Sequence, residues 1–129
     1  MIYLDSSAVV KLAREEAESA ALRSWLARNP SPLVSSELIR TETARALARR
    51  EPAALRVLPL ILATVNQSPV TQAILDAAGQ LPEPTLRSLD AIHLATAEDL
   101  RSVLTRFIAY DKRLAEAASA RGLPVVMPA

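Results

Sequence analysis

Ile2-Tyr3-Leu4-Asp5-Ser6-Ser7-Ala8-Val9-Val10-Lys11-Leu12 decides the fold. The first three residues are a short apolar run, Asp5-Ser6-Ser7 are helix-starting types, and an apolar pattern resumes from Ala8 to Leu12. A strand therefore feeds directly into a helix, with an aspartate at the strand's carboxyl end. The same alternation recurs along the chain. Residues 17 to 28 have helical spacing, with Ala20, Ala21, Trp25 and Leu26 near one side, until Asn29-Pro30-Ser31-Pro32 stops them. Leu33-Val34 is expected as a strand, Ser35 or Ser36 as the cap of a helix to about Arg50, and Pro52 as the first turn of a helix to about Ala63, bent or shortened at Pro59. Val65 to Val70 is a strand or extended segment, Thr71 to Gly79 a short helix closed by glycine, and Leu81 to Pro84 a loop. Thr85 to Leu100 predicts a helix, Phe107 to Tyr110 a strand, Asp111 to Arg121 a helix ended by Gly122, and Pro124 to Met127 a last strand. Strands alternating with helices argue for an α/β fold, a parallel sheet flanked by helices.

The chain of 129 residues is half hydrophobic and 22% charged, the balance of one domain spanning 1–129 that closes a single core. With no cysteine and one histidine, His93, thiolate and multi-histidine metal sites are excluded, so any metal must rely on oxygen ligands. Two glycines, Gly79 and Gly122, cannot build a Walker A loop, a GxGxxG fingerprint or a GxSxG elbow. Four aromatics are too few for base-stacking platforms. The opening residues lack a basic leader, and no stretch approaches the roughly 20 apolar residues that span a bilayer, so a soluble, cytoplasmic protein without membrane association is expected. Net charge is +1, yet residues 101 to 129 carry five basic side chains against Asp111 and Glu116. Alone, that excess reads most simply as a solvated face.

Four carboxylates are oddly placed for structural residues. Asp5 and Asp111 each follow a predicted strand, at the edge where open α/β sheets bind ligands; each could equally be a helix N-cap. On a helical wheel, Glu42 falls inside the stripe of Leu38, Ile39 and Ala46, and Asp90 inside that of Leu86, His93, Leu94 and Ala97, so both point inward. A buried carboxylate needs a cation, a hydrogen-bond network or a metal; the plain structural account is a salt bridge to an arginine such as Arg40 or Arg45. Four such oxygen ligands suit Mg²⁺ or Mn²⁺ rather than zinc, and a divalent site of that kind is what phosphodiester hydrolysis requires. Glu37 is expected in a first helical turn, favouring the helix dipole. His93, one turn beyond Asp90, is expected as a core histidine hydrogen-bonded nearby.

Four blocks, Asp5-Ser6-Ser7-Ala8-Val9-Val10-Lys11-Leu12 with Glu16, Ser36-Glu37-Leu38-x-Arg40-x-Glu42-x-x-Arg45-Ala46-Leu47, Leu89-Asp90-Ala91-Ile92-His93-Leu94-Ala95-Thr96-Ala97 and Tyr110-Asp111-Lys112-Arg113-Leu114-Ala115-Glu116-Ala117-Ala118, resemble the PIN-domain ribonucleases, specifically VapC-type toxins of bacterial toxin-antitoxin pairs. The resemblance implies a three-layer α/β/α sandwich around a parallel sheet, whose acidic pocket binds Mg²⁺ or Mn²⁺ and cuts RNA. It also implies homodimerisation and inhibition by a cognate VapB-type antitoxin. Asp5, Glu42, Asp90 and Asp111 fall on the family's acidic positions, and Ser7 on the small polar position beside the first aspartate. The linker between Leu100 and Phe107 departs from the family in lacking the glycine usual before the fourth strand.

Two functions follow: a metal-dependent endoribonuclease toxin, or a PIN-like scaffold that binds RNA or protein without catalysis. An acidic pocket repels phosphate, so basic residues must surround it, and Lys11, Arg40, Arg45, Lys112 and Arg113 lie within a few positions of the proposed ligands. The leucine-rich stretch of Leu55, Leu58, Leu60, Ile61 and Leu62 supplies more apolar surface than a small core needs and fits a homodimer.

Overall fold

The structure, a computed structural model, describes residues Met1–Ala129. Its strands are β1 (Ile2–Leu4), β2 (Leu33–Ser36), β3 (Val65–Ser68), β4 (Arg106–Ile108) and β5 (Val125–Val126). The helices are α1 (Ser6–Ala13), α2 (Ser19–Arg28), α3 (Ile39–Arg50), α4 (Leu58–Leu62), α5 (Gln72–Gly79), α6 (Ser88–Asp99) and α7 (Lys112–Ala120), with a 3₁₀ turn over Pro52–Arg56. All strand pairings are parallel, in the order β3-β2-β1-β4-β5.

Alternation along the two central strands creates two apolar faces. Ile2 and Leu4 of β1 pack with Ala8, Val9, Leu22 and Ile39 beneath α1 to α3, while Tyr3 packs on the other side with Leu94, Phe107 and Leu114 beneath α6 and α7. Parallel strands require right-handed crossovers, and the chain winds outward from β1 in both directions, so the two sets of helices cover opposite faces. This is the expected three-layer α/β/α arrangement. Tyr3 and Phe107 are both fully buried, with their rings stacked at 5.2 Å between centroids. The order reverses between β1 and β4, and at such a switch point the loops leaving the two strands diverge to leave a crevice at their carboxyl ends. Asp5 and Asp111 leave those two strands.

Several boundaries differ from expectation. Ser35 and Ser36 belong to β2 instead of capping α3, because Leu33 to Ser36 pairs in full with Val65 to Ser68. Glu37 therefore precedes the helix, and its Oε1 accepts a hydrogen bond from the Val70 amide at 2.7 Å, fastening the end of β3 instead of serving the α3 dipole. The helix expected from Pro52 to Ala63 is two pieces broken at Val57, with Pro59 in the first turn of α4, where its missing N–H costs nothing. α6 starts at Ser88 rather than Thr85, and β4 ends at Ile108. No non-glycine residue has positive φ, so the linker before β4 needs no glycine. It is closed instead by Met1, whose amino group donates to the Val103 carbonyl at 2.6 Å and whose carbonyl accepts from the Thr105 amide at 2.8 Å.

Truncating the aromatic pair at the sheet centre leaves a void that the parallel strands cannot collapse into. Phe107→Ala is expected to lower unfolding free energy by about 3–5 kcal/mol, measured by urea denaturation. A loss under about 1 kcal/mol would show that Phe107 is not a core anchor.

Candidate active site

Asp5 follows β1 immediately and is 2% exposed. It is the N-cap of α1, its Oδ1 accepting from the Ala8 amide at 3.0 Å and from the Ser7 hydroxyl at 2.6 Å. Ser7 Oγ in turn accepts from the Tyr110 amide at 2.9 Å, so one hydroxyl joins the end of β1 to the chain leaving β4. Burial pushes the Asp5 carboxyl up to about 6, and the Asp90 charge adds to the rise, against the opposing pull of His93, the Ser7 hydroxyl and the Ala8 amide. Asp111 caps α7, its Oδ1 accepting from the Leu114 amide at 3.0 Å. The N-cap account of both aspartates is thus correct, and it leaves a second oxygen on each.

Glu42 and Asp90 lie in the first turns of α3 and α6, both with largely buried side chains. Neither meets Arg40 or Arg45: Asp90 does pair with an arginine, but it is Arg87, whereas Glu42 finds His93 instead of an arginine. Glu42 Oε1 lies 2.7 Å from His93 Nε2, and Tyr3 Oη lies 2.7 Å from His93 Nδ1. Burial holds the Tyr3 phenol well above its usual range, so it keeps its proton, and the imidazole links that phenol on one side to the Glu42 carboxylate on the other. His93 is therefore the hydrogen-bonded core histidine expected, and its partner is Glu42. Glu42 Oε2 also accepts from the Ser6 hydroxyl at 3.4 Å.

The unanticipated residue is Arg87. Its Nε donates to Asp90 Oδ2 at 3.1 Å and its Nη2 to Asp111 Oδ2 at 3.3 Å, and the neighbouring acids raise the guanidinium's affinity for its proton. The i,i+3 spacing of Arg87 and Asp90 was the signal available in the sequence. With the guanidinium drawn between these two, no three carboxylate or imidazole groups converge closely enough to cage an ion. The donor set nonetheless fits a hard divalent cation: oxygen ligands only, one of them buried, held at one sheet edge and balanced by a single exposed monovalent charge.

The basic candidates divide. Lys11 is committed to Glu16 and Glu18 at 3.2 and 2.8 Å and lies over the Tyr110 ring. Arg40 reaches Gln67 at 3.3 Å. Lys112 and Arg113 are exposed at the start of α7, Arg113 beside Glu83 and Glu116. Arg45 alone of the five lines the groove of about 390 Å³ that contains Ser6, Ser7, Glu42 and Arg87. A cleft of about 420 Å³ between α5 and α6 includes none of the four carboxylates.

Comparison with known proteins identifies the family and the fold. A family profile described as "PIN domain" matches residues 2–120. The chain is 46% identical over 131 aligned positions to "Ribonuclease VapC35" of Mycobacterium tuberculosis, covering 99% of this chain and 97% of that protein. It is 47% identical over 127 positions to "Ribonuclease VapC46" of the same organism, covering 98% and 97%. Among solved structures, M. tuberculosis VapC20, described as a Sarcin-Ricin loop cleaving toxin, superposes with a TM-score of 0.78 at 23% identity over 99% of this chain and 100% of that one. A chain of a toxin-antitoxin complex from Klebsiella pneumoniae gives 0.73 at 23% identity over 100% and 98%. At those identities the structural matches establish the fold alone.

Two outcomes follow from the charges. Between Asp5's ordinary value of 3.8 and its folded value of about 6, the folded protein holds a proton that the unfolded chain has released, so stability falls as pH rises through that window. Above it a penalty on the order of 3 kcal/mol remains in metal-free protein. Asp5→Asn keeps the cap and removes the charge, and is expected to stabilise metal-free protein near about pH 8 but not near about pH 4. Urea unfolding in EDTA measures both, and a less stable variant near pH 8 would contradict the assignment. Arg87 competes with any cation these carboxylates take. Exposed pairs are worth roughly 0.2–1 kcal/mol each, so Arg87→Met should tighten Mn²⁺ binding by roughly two- to thirtyfold in calorimetry. Weakened binding would make Arg87 a support of the site instead.

Proposed function

The chain belongs to the PIN-domain family, among the VapC-type ribonucleases, and from that premise we propose that it is the toxin of a toxin-antitoxin pair, an endoribonuclease dependent on Mg²⁺ or Mn²⁺. The observation that supports the metal dependence is that Asp5 and Asp111 leave the adjacent strands β1 and β4 where strand order reverses, with Ser7 tying Asp5 to the Tyr110 amide and Arg87 holding Asp90 to Asp111. A bound Mg²⁺ or Mn²⁺ would supply charge neutralisation at the phosphate and a more acidic water. Asp5, Asp90 and Asp111 are the residues that would hold it.

The remaining steps belong to the chain's own groups. Glu42, anchored through His93 to Tyr3, keeps Oε1 fixed and leaves Oε2 facing Ser6, where it can take the proton of an attacking water. Ser7 fixes Asp5 against the backbone that leads to Asp111 and so keeps the two strand-end acids in one frame. Arg87 offsets the acidic charge in the absence of substrate and stands at the groove's edge to meet a phosphate oxygen. Lys112 and Arg113, exposed at the start of α7, are placed to contact RNA beyond Asp111.

A cognate VapB-type antitoxin is the proposed inhibitor. Homodimerisation is proposed through the apolar face near α4, where Leu60 is 70% exposed with Leu55 and Val57 beside it. No helix is long and apolar enough to cross a membrane, which accords with the proposed cytoplasmic site of action. The alternative of a non-catalytic scaffold is disfavoured because all four acids and the Tyr3-His93-Glu42 chain are in place. Purified toxin freed of antitoxin is expected to cleave RNA with Mg²⁺ or Mn²⁺ and to lose that activity in EDTA, while Asp90→Asn stays folded by circular dichroism and cuts at least about a hundredfold more slowly. Cleavage that survives EDTA, or that Asp90→Asn retains, would overturn the mechanism.

A further inference from the structure

We propose that the groove along α3 is a track for the backbone of single-stranded RNA, in which Arg45 and Arg49 hold phosphates on one side of the scissile bond without reading its bases. The inference rests on the ribonuclease reading above and adds where the substrate lies. Glu42, Arg45 and Arg49 are three and seven positions apart on one helix, so they form a single stripe running away from the acidic edge. Arg45 and Arg49 are separated by one turn, about 6 Å of rise. Both line the groove of about 390 Å³ that opens at Ser6, Ser7 and Glu42, and Arg50 and Arg87 line it as well.

The charge of this groove is spent only in part. Elsewhere Lys11, Arg14, Arg23, Arg101 and Arg121 are each paired with a carboxylate, and the basic residues without an ion pair, among them Arg28, Arg56 and Arg106, lie away from the groove that contains Glu42. Arg50 reaches Glu16 and Arg87 reaches Asp90 and Asp111, whereas Arg45 and Arg49 are exposed and form no ion pair. Of the four guanidinium groups lining the groove, Arg45 and Arg49 thus keep charge that no carboxylate neutralises, and two like charges one helical turn apart favour the entry of a polyanion. Because the groove begins at the reacting edge, a strand cut there must cross its rim, and its planar forks match phosphate oxygens.

The lining also says what the groove leaves unread. Its apolar members are Val10, Ala46 and Leu89, and no aromatic ring faces it, so bases find no aromatic platform there. Arg45 and Arg49, one helical turn apart on one wall, form a single file of cationic forks that one strand can follow. Contacts confined to phosphate fix register and carry no sequence information.

The test uses the full chain carrying Asp5→Asn to prevent cleavage, with and without Arg45→Ala plus Arg49→Ala. Affinities for short oligouridylate and oligoadenylate are measured by fluorescence anisotropy across a range of salt. The track predicts that both RNAs weaken by the same factor, that the log–log salt slope falls by about 0.7 for each lost contact, and that Arg45→Ala plus Arg49→Ala in a chain with Asp5 intact binds Mn²⁺ as the wild type does in calorimetry. Arg45→Lys plus Arg49→Lys should keep most of the slope, because charge rather than shape sets it. An unchanged slope would overturn the proposal and assign these arginines to another polyanion, such as an acidic peptide; so would a loss confined to one RNA. Wild-type cleavage assayed in parallel separates the two levels: an active enzyme with an unchanged slope removes the track alone, whereas no cleavage and no RNA binding removes both.

Discussion

Asp5 sits at the end of the central strand with almost none of its surface in water, and an ionised carboxyl there costs several kcal/mol unless neighbours offset it. Much of the surrounding structure answers that constraint. The Ala8 amide and the Ser7 hydroxyl solvate one oxygen, and Arg87 draws the flanking charges of Asp90 and Asp111 toward itself. The compensation is incomplete, which is why the group still titrates near 6. A carboxylate kept short of full compensation is poised to accept a cation, since a ligand that binds only the folded state stabilises it by mass action.

The fold supplies the convergence that sequence distance denies. Asp5 and Asp111 are more than a hundred residues apart, yet β1 and β4 pair directly, from Ile2 with Arg106 to Leu4 with Ile108. Helices α3 and α6 then start at the same edge from opposite faces and bring Glu42 and Asp90 inward. The Tyr3-His93-Glu42 chain crosses from the buried face of β1 to the site, so core packing and site geometry share residues. Fully buried Tyr3 stacks on Phe107 at one side and positions His93 at the other.

Most of this was readable from local pattern. Asp5-Ser6-Ser7 after an apolar run marks both a strand end and a cap, and two periods suffice to assign β1, α1, α6 and α7. The wheel placed Glu42 and Asp90 inward, but it treats one helix at a time and cannot pair Glu42 with His93 from another. That pairing was accessible only by asking which buried polar group satisfies which. The boundaries that moved did so for tertiary reasons: Ser35 and Ser36 have cap chemistry, yet β3 offers them a full ladder, and ladder bonds prevail over a local cap. Lys11 resembled an RNA contact because it lies near Asp5 in sequence, whereas Glu16 and Glu18 fold back onto it. Arg49 is not visible as a contact in the sequence because it lies seven residues from Glu42, the nearest proposed ligand, a distance that one helical stripe makes short.

The central claim is that the acidic edge is a divalent-metal site masked by Arg87. Diffraction from Mn²⁺-soaked crystals of the wild-type chain, with anomalous differences recorded for the metal, tests it most directly. The account predicts an anomalous peak contacted by oxygens of Asp5 and Asp90, with the Arg87 guanidinium withdrawn from Asp90 and Asp111. No peak at this edge at saturating Mn²⁺, with both Arg87 pairs intact, would contradict it.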